Sequence, residues 1–307
     1  MKSISVLLLT FLAALCVLFG CMKSGSMVDV AVHKKEVEEW QARRLARLKS
    51  DQGWLTLCGL FWLKEGENKT GTDSSNQIGF PPSKAPAFAG SLWLENGIVR
   101  LEAPKSSEIK LNDSVVTSMV LTSDKNVNIK PTILSLRTLT FQIIYRSGQI
   151  GVRVKDRQNP PLLNFKGMEY FPIDPKWRID AKFAPYNPPK IIPIATMIGT
   201  TENDSCPGAI VFEVDGKEMR LDAVIESGTN DQLFIMFSDE TSGKETYGMG
   251  RQLYTDLPDK DNHVVIDFNK AYNWPCVFTE FATCPIPPKQ NRLPIRVEAG
   301  EKMYRGH

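Results

Sequence analysis

Leu139-Thr140-Phe141-Gln142-Ile143-Ile144-Tyr145-Arg146-Ser147-Gly148-Gln149-Ile150-Gly151-Val152-Arg153-Val154 reads as two strands and a turn. Leu139, Phe141, Ile143 and Tyr145 alternate with polar residues, and Ile150, Val152 and Val154 resume the alternation after Ser147-Gly148. A period of two with a glycine-bearing break is the pattern of a β-hairpin. Ile210–Val214, Asp215-Gly216 and Met219–Ile225 repeat it, and Asp-Gly suits the positive backbone angles of a tight hairpin turn. Leu233–Phe237 and Val264–Phe268 are further strands. Proline pairs at Pro160-Pro161, Pro188-Pro189 and Pro287-Pro288 mark loops between them. Short alternating strands with frequent turns favour a sandwich or barrel over a wound α/β sheet.

Upstream of the strands, Val37, Trp40, Leu45 and Leu48 recur at helical spacing among Lys, Glu and Arg, so residues 33–49 form one amphipathic helix ended by Gly53. Its apolar stripe docks on the protein body or lies on a membrane surface. The expected fold is mostly β: an N-terminal amphipathic helix, a small β-sandwich module, then a larger antiparallel β domain built as a sandwich or barrel. The boundary between the two β parts falls near Pro131, giving 33–130 for the helix and small module and 131–307 for the larger domain.

Met1-Lys2, the apolar run Val6–Phe19 and the exit Gly20-Cys21 follow the order of a secretory signal. Ending on Gly-Cys is the bacterial lipoprotein pattern. Residues 1–20 are then the signal, Cys21 the acylated N-terminus and 21–32 a tether, which places the protein in the bacterial cell envelope with a membrane as its first partner. A single membrane-spanning helix is the other reading of the run, which falls short of the ~20 residues a bilayer needs.

The chain carries 37 basic and 35 acidic residues. That interspersed balance argues against nucleic acid, which is gripped by clustered Lys and Arg. No Gly-x-Ser-x-Gly elbow, phosphate loop or His-Glu-x-x-His helix is present, and nothing calls for a cofactor or a metal. Among the cysteines, Cys276 and Cys284 lie in one proline-rich loop and are the candidate disulfide, favoured by an oxidising compartment. Cys58 reads as a buried inert thiol, and the state of Cys206 is open.

Arg251 follows Tyr247-Gly248-Met249-Gly250, where glycines permit close backbone approach and a guanidinium offers a fork to an anion. Asp267, Asn269, Tyr272 and Asn273 join it as the candidate ligand-binding set. An internal Arg251–Asp267 ion pair bracing the following loop is the architectural reading of the same residues. Arg153 with Asp156 invites the same two readings, and Trp177-Arg178 with Tyr186 could rim a planar ligand. Three functional readings stand. The first is an envelope module binding a small ligand or a partner. The second is a hydrolase or transferase using the Arg251/Asp267/Cys276 region, with His263 as base or in a zinc set with both cysteines. The third is a purely structural protein.

Three stretches resemble one bacterial and archaeal family, the domain-of-unknown-function family 1684 (DUF1684). They are Gly53-Trp54-Leu55-Thr56 through Asn76; Phe171-Pro172, Trp177-Arg178 and Phe183-Ala184-Pro185-Tyr186; and Glu245-Thr246-Tyr247, Gly250-Arg251 and Asp267 through Pro285. Trp274 stands where the family more often has proline, and Gln252 where it more often has phenylalanine. The resemblance implies no activity. The small module also resembles a forkhead-associated β-sandwich, through Gly71-Thr72-Asp73 and Asn76-Gln77-Ile78. Thr72 takes the place of the phosphate-holding arginine, and Lys84-Ala85-Pro86 that of the serine motif, so phosphopeptide reading is not implied.

Overall fold

A computed structural model describes residues 29–226 and 231–306; the signal segment, Cys21 and most of the tether lie outside the described residues. Among those described, no helix is long and apolar enough to cross a membrane.

Helix α1 spans Val30–Lys49. It begins three residues before the periodicity does, because the Asp29 carboxylate accepts the backbone N–H groups of Ala31 and Val32 at 2.9 and 3.1 Å. Val37 and Leu48 are buried on its inner face, together with His33 and Arg44. The helix therefore docks on the body through polar anchors as well as an apolar stripe.

Eleven strands follow: β1 Leu57–Trp62, β2 Gly66–Gly71, β3 Ile78–Gly79, β4 Gly90–Glu95, β5 Ile98–Glu102, β6 Lys110–Leu111, β7 Ser114–Val115, β8 Ser118–Leu121, β9 Ile133–Leu136, β10 Leu139–Arg146 and β11 Gln149–Asp156. They form one sheet in the order β1-β11-β10-β9-β6-β7 and another in the order β3-β2-β4-β5-β8. A single core lies between the sheets, with Leu92, Val99 and Leu101 from one meeting Leu134, Phe141, Val152 and Val154 from the other. Tight pairing of Arg146 with Gln149 closes the β10–β11 hairpin, with Ser147 and Gly148 at φ 48° and 86°.

This pairing moves the predicted boundary. β9, β10 and β11 lie beyond Pro131, yet β11 runs antiparallel to β1, with Phe61 opposite Val152. The hairpin completes the first sandwich, and the chain leaves it only after Asp156, through the one-turn helix α2 Pro160–Leu163. Pro160 opens that helix, where a missing N–H costs nothing.

The second unit is one six-stranded sheet, ordered β16-β15-β14-β13-β12-β17. Its strands are β12 Arg178–Ala195, β13 Thr201–Val214, β14 Lys217–Ile225, β15 Gln232–Phe237, β16 Arg251–Asp256 and β17 His263–Asp267. The sheet curls into a nearly closed barrel, and the Thr255 hydroxyl donates to the Val265 carbonyl between its two edge strands. Phe268 plugs the barrel, packed on Trp177, Phe212 and Phe237 at ring distances of 6.0, 5.6 and 5.3 Å. Pro188-Pro189 sits within β12, where its register with β13 shifts between Pro185 and Lys190, rather than in a loop.

Candidate functional site

The predicted ligand-binding set does not form one site. Arg251 is fully buried, and its partner is Asp239 (Nη2 to Oδ1, 3.4 Å), not Asp267. The same guanidinium donates to the carbonyls of Val297, at 2.9 Å, and Ala299. Asp239 in turn accepts the Val297 N–H at 2.8 Å. Arg251 and Asp239 thus pin the C-terminal segment to the barrel. Gly250 is needed for close approach, but to backbone: a Cβ there would sit 2.2 Å from the Phe237 carbonyl oxygen, at φ 82°.

Asp267 faces helix α1, where its carboxylate meets His33 Nε2 at 3.0 Å and Lys270 Nζ at 3.5 Å, and it caps the turn at Asn269. Asn269 closes on the backbone of Asp174 from both ends of its amide, at 3.0 Å each. The Asn273 N–H donates to Glu301 at 2.7 Å, while Arg44 binds Glu301 at 3.2 Å and the Asn273 carbonyl at 3.1 Å. Burial pushes the Glu301 carboxyl up, and Arg44 and the Asn273 N–H offset part of that push. These groups fasten α1 and the C-terminal segment to the barrel.

The remaining sequence candidates are similarly dispersed. His263 is exposed beside Asp180 (3.5 Å) and Asp259 (4.0 Å), so it is neither a base for Cys276 nor a metal ligand with it. Among the described residues no group of His, Cys, Asp and Glu is arranged to hold a metal ion. Tyr186 donates to Asp222 at 2.7 Å under the Lys190 ammonium, away from the buried Trp177. Cys276 and Cys284 are free thiols, so the candidate disulfide is not formed.

A concavity lies where α1, the sandwich and the barrel meet. It is a cleft of about 850 Å³, and of the predicted set only Tyr272 lines it. Arg44 sits 4.6 Å over the Tyr272 ring, whose hydroxyl is pushed up to about 12 chiefly by burial. Tyr254, stacked on Phe234 at 4.8 Å, donates to Glu226 at 2.6 Å. Asp204 lines the same acidic side, and its carboxyl is pushed up by burial and by the neighbouring Glu202 and Glu226.

The opposite wall carries Arg153. Alternation on β11 sends Val152 and Val154 into the sandwich core and Arg153 out through the other face of the sheet. That face is roofed by the barrel, so Arg153 is only 7% exposed. Its Nε has no hydrogen-bond partner, and among the described residues no carboxylate comes within ion-pair distance of it. The nearest candidate, Asp124, is held by Arg146 at 2.9 and 3.0 Å. Burial, with Arg146 adding repulsion, pushes the Arg153 guanidinium down to about 10. The Trp54 ring lies 5.1 Å from its central carbon. Trp274 adds a second idle donor to the lining, buried to 2% exposure with Nε1 unpartnered. The cleft wall thus holds two buried donors with nothing to donate to.

The sequence singled out Arg153 together with Asp156, as a ligand-binding group or as an internal ion pair. Asp156 in fact pairs with Lys84 at 3.4 Å. A charged residue between two core valines is the signal that was available.

The family model of DUF1684, a protein of unknown function, matches residues 163–302. Those residues comprise the barrel and the C-terminal loops, including Trp274 and Cys284 but not Arg153. Two of the three resembling stretches fall inside them, and the one from Gly53 to Asn76 precedes them. No curated protein matches the chain. Among solved structures, the solution NMR structure of an uncharacterized protein from Haloarcula marismortui is 30% identical, covering 47% of this chain and 80% of that one at a TM-score of 0.39. Residues 163–302 belong to the DUF1684 family.

Proposed function

We propose that the protein is a small-ligand-binding module that takes an anionic group, carboxylate or phosphate, onto Arg153 in the cleft between sandwich and barrel. The observation that carries this reading is the unpaired, buried guanidinium. An uncompensated buried charge costs several kcal/mol of folding free energy, on the order of what a ligand pairing with it returns. Trp54 on one flank and the tyrosines on the other suit a ligand with a flat or apolar body behind its anionic group.

Benzoate and phenyl phosphate, titrated while following tryptophan fluorescence, test it. Saturable binding to the wild type that falls at least ~10-fold in Arg153→Met supports the reading, that being the effect of losing one charge-assisted hydrogen bond of about 1.5–3 kcal/mol. Equal affinity in both proteins, or no saturable binding to either, removes it.

The place of action proposed with it is the bacterial cell envelope, held by lipid on Cys21. The support is the order of Lys2, the apolar run and Gly20-Cys21. Labelled palmitate should enter the wild-type protein in cells and fail to enter Cys21→Ser; equal labelling of both would remove the anchor.

A further inference from the structure

We infer that Cys276 and Cys284 form a thiol–disulfide exchange site beside the cleft, with Cys276 as the attacking thiol and Cys284 as the resolving one. The Cys276 N–H donates to the Cys284 sulfur at 3.2 Å, and the two side chains are themselves hydrogen-bonded. The Tyr247 hydroxyl makes a third contact, to the Cys276 sulfur. Cys276 is partly exposed and approachable, whereas Cys284 is buried at 4% exposure and forms part of the cleft wall. One accessible sulfur supported by two donors, with a second sulfur in contact behind it, is the layout exchange chemistry needs.

The other thiols lack it. Burial pushes Cys58 up to about 12 and Cys206 up to about 11. Cys276 moves the other way, down to about 7: hydrogen bonding from Cys284 outweighs burial, and Tyr247 adds to it. Cys284 rises as the proton holder of the pair. Its sulfur also lies within electrostatic range of Arg153, which favours its thiolate when the proton finally leaves.

The substrate class is a small disulfide, RS–SR. The Cys276 thiolate attacks one sulfur, a Cys276–SR bond forms, the RS–SR bond breaks, and RS⁻ leaves. Cys284 then gives up its proton and its sulfur attacks that of Cys276. The Cys276–Cys284 bond forms, and the second RS⁻ is expelled. The protein dithiol loses two electrons, RS–SR gains them, and two RSH take up the protons released by the two cysteines.

Oxidised glutathione is the probe, added to the reduced full chain and followed by intact and peptide mass spectrometry. The expected result is loss of two hydrogens in the wild type, with Cys276 linked to Cys284. Cys284→Ser should stop at a glutathione adduct on Cys276, and Cys276→Ser should take up none. The wild type alone also suffices as a test. At neutral pH Cys276 should alkylate roughly 100-fold faster than Cys58 or Cys206, since their far smaller thiolate fraction outweighs their greater intrinsic nucleophilicity. Its rate should climb as pH rises towards about 7 and level off above, because the thiolate is the reactive form. First modification at Cys58, Cys206 or Cys284, or a folded wild type that never links the pair, overturns the inference.

Discussion

Arg251 and Arg153 are buried on strands of the two different β units, and they differ at the guanidinium. Arg251, on the barrel, meets the Asp239 carboxylate and two carbonyls of the C-terminal segment, with only its Nε left over. Arg153, on the sandwich, meets an aromatic ring and the cleft. The first is saturated from within the chain, so its charge serves architecture. The second is also desolvated, with no carboxylate or carbonyl partner among the described residues, and a fold under no other demand would have replaced it. Burial alone does not distinguish a site from a brace; the state of the donors does.

The largest effect expected on this contrast is at Arg251. Arg251→Ala leaves Asp239 buried without its cation and frees the carbonyls of Val297 and Ala299. Breaking such a pair from one side costs about 3–5 kcal/mol, readable as a fall in the urea midpoint. A loss below about 1 kcal/mol would put Arg251 and Arg153 in one class. Arg153→Met should go the opposite way, stabilising by about 1–3 kcal/mol, because it removes an unpaired buried donor and keeps an apolar stem in the cleft wall. The same variant loses benzoate and phenyl phosphate. A stability gain paired with a binding loss identifies a site; destabilisation would make Arg153 a brace whose partner is the Trp54 ring.

The hairpin was legible because its information is local. Alternation and Ser147-Gly148 specify both strands and the turn, and the structure pairs every residue from Leu139 to Arg146. The boundary near Pro131 was not legible, because β11 finds β1 some hundred positions upstream and no local pattern encodes that pairing. One hint lies in β11 itself: Gly151 through Val154 are all buried, as in a strand covered on both faces. The site was misplaced for a related reason. Glycines beside Arg251 signal close approach to that backbone, and only tertiary structure shows that Phe237 rather than a ligand approaches. His33 and Arg44 read as polar positions on a helix, yet both are buried by partners in the last fifty residues of the chain.

The smallest effect, and the one that refines the contrast most, is at Trp274. Its ring packs edge-on against Phe234 at 6.0 Å, while its N–H faces no partner. Trp274→Phe gives up some buried ring surface but removes an unsatisfied donor, so the net change in stability should stay within about 1 kcal/mol. If the indole N–H supplements Arg153 in holding the anion, affinity for phenyl phosphate should fall roughly 2–10-fold, the worth of one neutral hydrogen bond. An unchanged affinity with unchanged stability would make Trp274 packing alone and leave Arg153 as the single anchor. A larger loss than at Arg153 would move the anion from the sandwich wall to the barrel wall, and with it the residue on which the binding reading rests.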